Sequence, residues 1–136
     1  MVRPNALAAA ELLRLTLLCR RIDRQLATSA SLSVDELHCL GVLYLERPNC
    51  VKKLNELLGL TATRTSKILR SLEGRGFVVR SLHLVDRRME QITLTEEGQR
   101  AAENVLSISS EAVKKLFASP RDRAIADLSG LIRITD

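Results

Sequence analysis

The stretch that most limits what this chain can become is Thr61 to Leu72, Thr-Ala-Thr-Arg-Thr-Ser-Lys-Ile-Leu-Arg-Ser-Leu. Thr65, Ile68, Leu69 and Leu72 recur at i, i+3, i+4 and i+7, a spacing that gathers them on one face of a helix. Thr63, Ser66, Lys67 and Arg70 repeat the spacing on the other face, with no acid among them. One side is built to sit on a core. The other offers short hydroxyls and long cations, groups that donate to phosphate oxygens and, for Arg and Lys, reach guanine in the major groove. A solvated helix face would look similar in isolation. What precedes and follows the stretch decides between the two.

Immediately upstream, Val51, Leu54 and Leu58 stripe a short helix over about Cys50 to Leu58, and Asn49 is placed to cap it. Gly59 is a left-handed terminator, Leu60 lies between the helices, and Thr61 caps the second. Helix, glycine turn and helix make a helix-turn-helix, whose second helix is free to enter a groove. Downstream, Glu73-Gly74-Arg75-Gly76 ends that helix. Phe77-Val78-Val79-Arg80 reads as a strand and Gln91-Ile92-Thr93-Leu94 as another. The charged connection from His83 to Arg88 makes them a hairpin, a wing beside the recognition helix.

The flanks are helical. Pro4 to about Thr28 carries two stripes, Leu15, Leu18, Ile22 and Leu26 on one side and Leu12, Leu13 and Leu17 on another. A helix apolar on more than one side must be covered on more than one side, and here one cover is a second chain. After a small-residue loop over Ala27 to Leu32, Ser33 and Glu36 form a capping box for a helix to about Glu46, with Leu37, Leu40 and Leu43 or Tyr44 inward. Arg47 and Pro48 end it. Thr95 caps a helix to about Ala118, striped by Ala101, Val105, Ile108, Ala112 and Leu116. Ser119-Pro120 opens a last helix to about Ile134. The 136 residues read as a single domain, 1–136, mainly α with a small β-hairpin wing (α+β). Residues 33–98 form the winged helix-turn-helix lobe. Residues 4–28 and 99–134 form a helical dimerisation region.

Charge points the same way. Between Arg47 and Glu90 lie ten Lys and Arg against four acids, while the rest of the chain is slightly acidic. A localised basic patch is the footprint of a nucleic-acid surface. Lys52 and Lys53 suit the phosphate backbone. Aromatic residues are only 2%, which argues against a base-stacking platform for single strands. There is no 18-residue apolar window and no basic amphipathic helix with bulky anchors, so no membrane partner is expected. Three widely spaced cysteines make neither a disulfide framework nor a zinc pattern, and a reducing cytoplasm suits them. Cys19, beside Arg20 and Arg21, and Cys50, at a helix start near Lys52 and Lys53, are the candidates for a redox-active thiol. His38 and His83 are isolated, so no metal and no cofactor is expected. No nucleophile–base set appears, and the chain is not read as an enzyme.

The segment Asp86-Arg87-Arg88-Met89-Glu90-Gln91-Ile92-Thr93-Leu94-Thr95-Glu96-Glu97-Gly98 is similar to the wing signature of the MarR family of winged-helix transcription regulators, an Asp-x-Arg turn, a strand, then Leu-Thr-x-x-Gly. Leu54 to Val78 resembles that family's helix-turn-helix and its exit. The resemblance runs from about Ser33 to Gly98 and more loosely over the flanking helices. It implies a homodimer with interlocked end helices and two lobes straddling a pseudo-palindromic site on double-stranded DNA. It implies that Arg88, with Arg87, lies at the minor groove while Asp86 orients the turn. The expected DNA-binding set is therefore Thr61, Thr63, Arg64, Ser66, Lys67, Arg70, Asp86, Arg87 and Arg88. The expected role is a repressor, with an unidentified small-molecule effector as a further partner. Many relatives sense aromatic compounds, or oxidants through an N-terminal cysteine held by tyrosines. Here the only tyrosine is Tyr44 and Cys19 falls elsewhere, a departure from the pattern on which both sensing modes rest. The rival readings are a winged helix used as a protein-interaction module, and a thiol-based redox regulator.

Overall fold

The computed structural model describes residues 4–48, 50–82, 85 and 90–116. Among the described residues five helices and one hairpin follow in order: α1 (Pro4–Ala30), α2 (Val34–Leu45), α3 (Val51–Leu58), α4 (Ala62–Gly74), β1 (Val78–Leu82), β2 (Glu90–Leu94) and α5 (Glu96–Leu116). The winged helix-turn-helix order expected from the sequence is the order found. The expected last helix, 121–134, and the tip residues Asp86, Arg87 and Arg88 lie outside the described residues, as do His83 and Asn49.

The core is aliphatic. Leu37, Leu40 and Leu43 of α2 meet Leu54 of α3, Ile68, Leu69 and Leu72 of α4, and Val78 and Ile92 of the hairpin. Leu40, Leu54, Leu69 and Leu72 have no exposed surface. With few rings to fill space, close packing falls to leucines in staggered rotamers, which the helical spacing supplies. All four residues of the inward α4 stripe, Thr65 included, are buried.

Helix ends follow their caps. Ser33 and Glu36 form the expected capping box: the Glu36 amide donates to the Ser33 hydroxyl at 3.1 Å and the Ser33 amide to Glu36 Oε1 at 3.0 Å. Gly59 closes α3 at φ 64°, where a side chain would be strained. The start of α3 has Cys50 as its flanking residue, with no side-chain cap. The loop expected over Ala27 to Leu32 is shorter than read. α1 continues to Ala30 because Leu26 and Ala27 are buried against the lobe, and the chain turns at Ser31, φ 55°.

β1 and β2 pair antiparallel, Val78 opposite Leu94 and Leu82 opposite Glu90. Their junction with α5 explains the Leu-Thr-x-x-Gly motif. The Thr95 amide donates to the Phe77 carbonyl at 3.0 Å, its hydroxyl to the Gly76 carbonyl, and the Gly98 amide to the Thr95 hydroxyl at 3.0 Å. A Cβ at Gly98 would stand 1.9 Å from the Phe77 carbonyl oxygen. Only glycine lets the first turn of α5 lie against the entry to the wing. On α5 the sequence stripe was slightly misplaced: Ala102, with Val105, is buried, while Ala101 and Ile108 are half-covered.

Candidate nucleic-acid interface

The outward side of α4 carries Thr63, Lys67 and Arg70, all exposed, with Ser66 half-exposed between them. Thr61 caps the helix, its hydroxyl accepting the Arg64 amide at 3.3 Å. It stays exposed at the tip that leads the helix outward. Among the described residues, Lys67 and Arg70 have no acidic partner. The face therefore carries Thr63, Ser66 and Lys67 on the N-terminal half of the helix, whose end itself favours an anion, and Arg70 a turn further on.

The acids near α4 have been drawn to its flanks. On the α2 side, Arg64, Ser71 and Arg75 lie in one line at i, i+7 and i+11. Arg64 meets Asp35 through Nε at 2.8 Å and Nη2 at 2.7 Å. The Ser71 hydroxyl donates to Glu36 Oε2 at 3.1 Å, and Arg75 Nε lies 3.4 Å from the same oxygen. Arg75 also donates to the Ser31 carbonyl at the α1–α2 corner. Glu36 is buried. Burial pushes its carboxyl up, but hydrogen bonds from the Ser33 amide and hydroxyl and from Ser71, with the Arg75 charge, outweigh that and hold it below the usual glutamate range. On the hairpin side, Arg80 meets Glu73 at 3.3 Å and Glu90 at 3.8 Å.

The sequence matches a family of proteins described as Winged helix DNA-binding domain over residues 36–113, more than half of the chain. The chain belongs to this winged-helix family. An uncharacterised HTH-type transcriptional regulator of Bacillus subtilis, YwhA, is 31% identical over 78 residues, covering 57% of this chain and 56% of the relative. The chain thus spans little more than half of that relative's length. A MarR-family transcriptional regulator from Rhodococcus has the same fold at TM-score 0.79 and 21% identity, covering 98% of this chain and 94% of that one. MepR of S. aureus, solved as a DNA complex, matches at TM-score 0.61 and 22% identity, covering 90% of this chain and 96% of MepR. The winged-helix fold expected from the MarR resemblance is the fold present.

Within this winged helix, the basic patch is narrower than the sequence count suggested. Arg64 was expected in the DNA-binding set; its guanidinium pairs with Asp35 on the α2 side. Arg75 and Arg80 also serve internal pairs, and Lys53 lies 3.8 Å from Glu56 on the surface. The sequence reading missed Asp35, Glu36 and Glu73 as the residues that fix α4. The Arg64–Ser71–Arg75 line, a third stripe on the helix, was the available signal.

The thiols divide. Cys39 is fully buried, and burial, then the Glu36 charge, pushes it up to about 12. Cys50 is buried beside the start of α3. Cys19 is exposed, yet partial burial, then Asp23, raises its thiol above the ordinary value. A reactive thiol needs the opposite shift, so Arg20 and Arg21 do not activate Cys19 as their sequence proximity suggested. His38 lies 2.9 Å from Asp23 at the rim of a cleft of about 420 Å³ between α1, α2, α3 and α5, walled by Leu26, Leu37, Val42, Leu58 and Val105. No cluster of metal-ligating side chains occurs among the described residues. No described helix is long and apolar enough to cross a membrane.

Proposed function

We propose that the chain is a homodimeric, sequence-specific regulator of transcription that binds double-stranded DNA and acts as a repressor in the cytoplasm. The observation that carries this reading is the outward face of α4, where Thr63, Ser66, Lys67 and Arg70 have no acidic partner among the described residues. A helix held this way enters the major groove. Asp86, Arg87 and Arg88 would then extend the contact from the hairpin to the adjacent minor groove. Leu12, Leu13 and Leu17, exposed along α1, support a second subunit. Two lobes held by that dimer would read two half-sites separated by whole helical turns. The cleft beside His38 and Asp23 has the size and apolar walls of a small-molecule site, and an effector there would bear on α1 and α2 together.

The test is selection from random duplex DNA by the purified protein at two salt concentrations, with the molar mass measured in solution. A pseudo-palindrome should emerge, bound by a dimer. Affinity should fall with salt at a log–log slope of about −0.9 per phosphate contacted. A monomer, or a pool that does not enrich even at low salt, refutes the reading.

A further inference from the structure

The hairpin is only two-stranded, and such a sheet has little rigidity of its own. If the proposed duplex contact is made by α4 and hairpin together, something must set the angle between them. We propose that Arg80 is a positioning residue that does so, a clamp on the wing rather than a contributor of charge to DNA. This rests on the duplex-binding reading above, but its geometry is independent of it.

Strand alternation places Val78, Arg80 and Leu82 on one side of β1, opposite Leu94, Ile92 and Glu90. Val78 and Ile92 are buried. An arginine in that row is turned toward the core side, with its methylene stem beside apolar neighbours and its charged head reaching the edge. The Arg80 side chain is 21% exposed, less than the arginine of any other ion pair among the described residues. Its Nε lies 3.3 Å from Glu73 Oε2 and its Nη1 3.8 Å from Glu90 Oε2. Glu73 belongs to the last turn of α4, and Glu90 opens β2. One planar guanidinium thus ties the recognition helix to both strands. Among the described residues, no other ion pair joins α4 to the hairpin.

Stability alone is a weak reason for such an arrangement, since apolar replacements of partly buried ion pairs are often neutral. Direction is a better one. A guanidinium set between two carboxylates, one on the helix and one on the second strand, favours an orientation that an apolar contact does not. The segment 83–89 is covalently continuous with both strands, so a change of pitch at residue 80 is carried to whatever that segment touches.

The test compares wild type with Arg80→Met, which keeps the stem and removes the fork, and Arg80→Lys, which keeps the charge without the fork. The first readout needs no DNA. Spin labels at Lys67→Cys and Ser81→Cys, both exposed positions, in a Cys19→Ser background and diluted with unlabelled subunits, report the helix-to-hairpin distance. Wild type should give a narrow distribution. Arg80→Met should broaden it at an almost unchanged melting temperature, with Arg80→Lys intermediate. The second readout is footprinting on a selected duplex. Arg80→Met should keep guanine N7 protection in the major groove and lose minor-groove protection beside each half-site, with affinity about tenfold weaker. An unchanged distance distribution overturns the proposal, as does parallel loss of both protections. A wild type that protects no duplex would refute the functional reading, and the distance measurement would still judge the clamp.

Discussion

α1 and α4 are both rich in leucine and arginine, and they use them differently. In α4 Ile68, Leu69 and Leu72 face the core and the arginines are sorted, Arg64 held on a flank and Arg70 left outward. In α1 only the C-terminal half is covered, by α2 and α5. Leu26 is buried, while Leu13 and Leu17 are 59% and 53% exposed. The lobe built around α4 is complete within one chain. The N-terminal half of α1 is not, and large apolar side chains grouped on one helix mark a surface made for another.

The largest effects should come from testing that contrast directly. Leu69→Ala should remove about 2–5 kcal/mol of stability, because it opens a cavity in a fully packed site. That is a large share of what a domain of this size has. Leu17→Ala should change the unfolding of the isolated chain by no more than about 0.5 kcal/mol. Its effect should appear instead in the concentration dependence of assembly, as should that of Leu13→Asp with Leu17→Asp. The double aspartate variant should sediment as a folded monomer and bind its duplex about a hundredfold more weakly, since two lobes no longer act as one ligand. Denaturation curves and sedimentation separate the cases. A Leu17→Ala variant as destabilised as Leu69→Ala would erase the distinction between the two helices.

The same contrast shows what was legible in the sequence. Periodicity identified the buried row of α4, the capping box at Ser33 and Glu36, and the left-handed end at Gly59, because each is set by residues within one or two turns. The split on α1 between Leu15, Leu18, Ile22 and Leu26 and the exposed leucines was legible for the same reason. What could not be read were pairings across distance. Arg64 and Arg80 count as positive charge wherever they stand, but Asp35 is 29 residues from the first and their partnership depends on how α2 crosses α4. The end of α1 was placed too early because burial of Leu26 and Ala27, a tertiary effect, overrode the local preference of small residues for a loop.

Intermediate effects should sort the cations of α4. Lys67→Ala and Arg70→Ala should each cost about 1–3 kcal/mol of binding if the lost contact is to a base, and less, spread evenly over sequences, if it is to phosphate. Arg64→Ala should cost less than either in DNA binding. Its pair with Asp35 is exposed, so its removal should lower stability by no more than about 1 kcal/mol. Binding isotherms against one duplex, with melting curves beside them, check the ranking. Arg64→Ala as the most damaging of the three would show that this arginine leaves Asp35 to engage DNA.

The smallest effect concerns Glu36, the one acid that α2 contributes to three partners at once. Its folded carboxyl is held below its ordinary value, 4.5, so the folded state binds a proton there less readily than the unfolded chain. Its contribution to stability is therefore fully present above that value and is lost as pH falls through the depressed one. Glu36→Gln keeps an oxygen that can accept the Ser33 amide but removes the charge facing Arg75. The stability gap between wild type and Glu36→Gln should be constant near neutral pH and close progressively below pH 4.5. Taking the difference cancels the other carboxylates, which titrate alike in both proteins. A gap that stays level through that range would mean that the buried carboxylate serves α2 through its hydrogen-bonding shape alone, and that Arg75 is held to the α1–α2 corner by the Ser31 carbonyl rather than by charge.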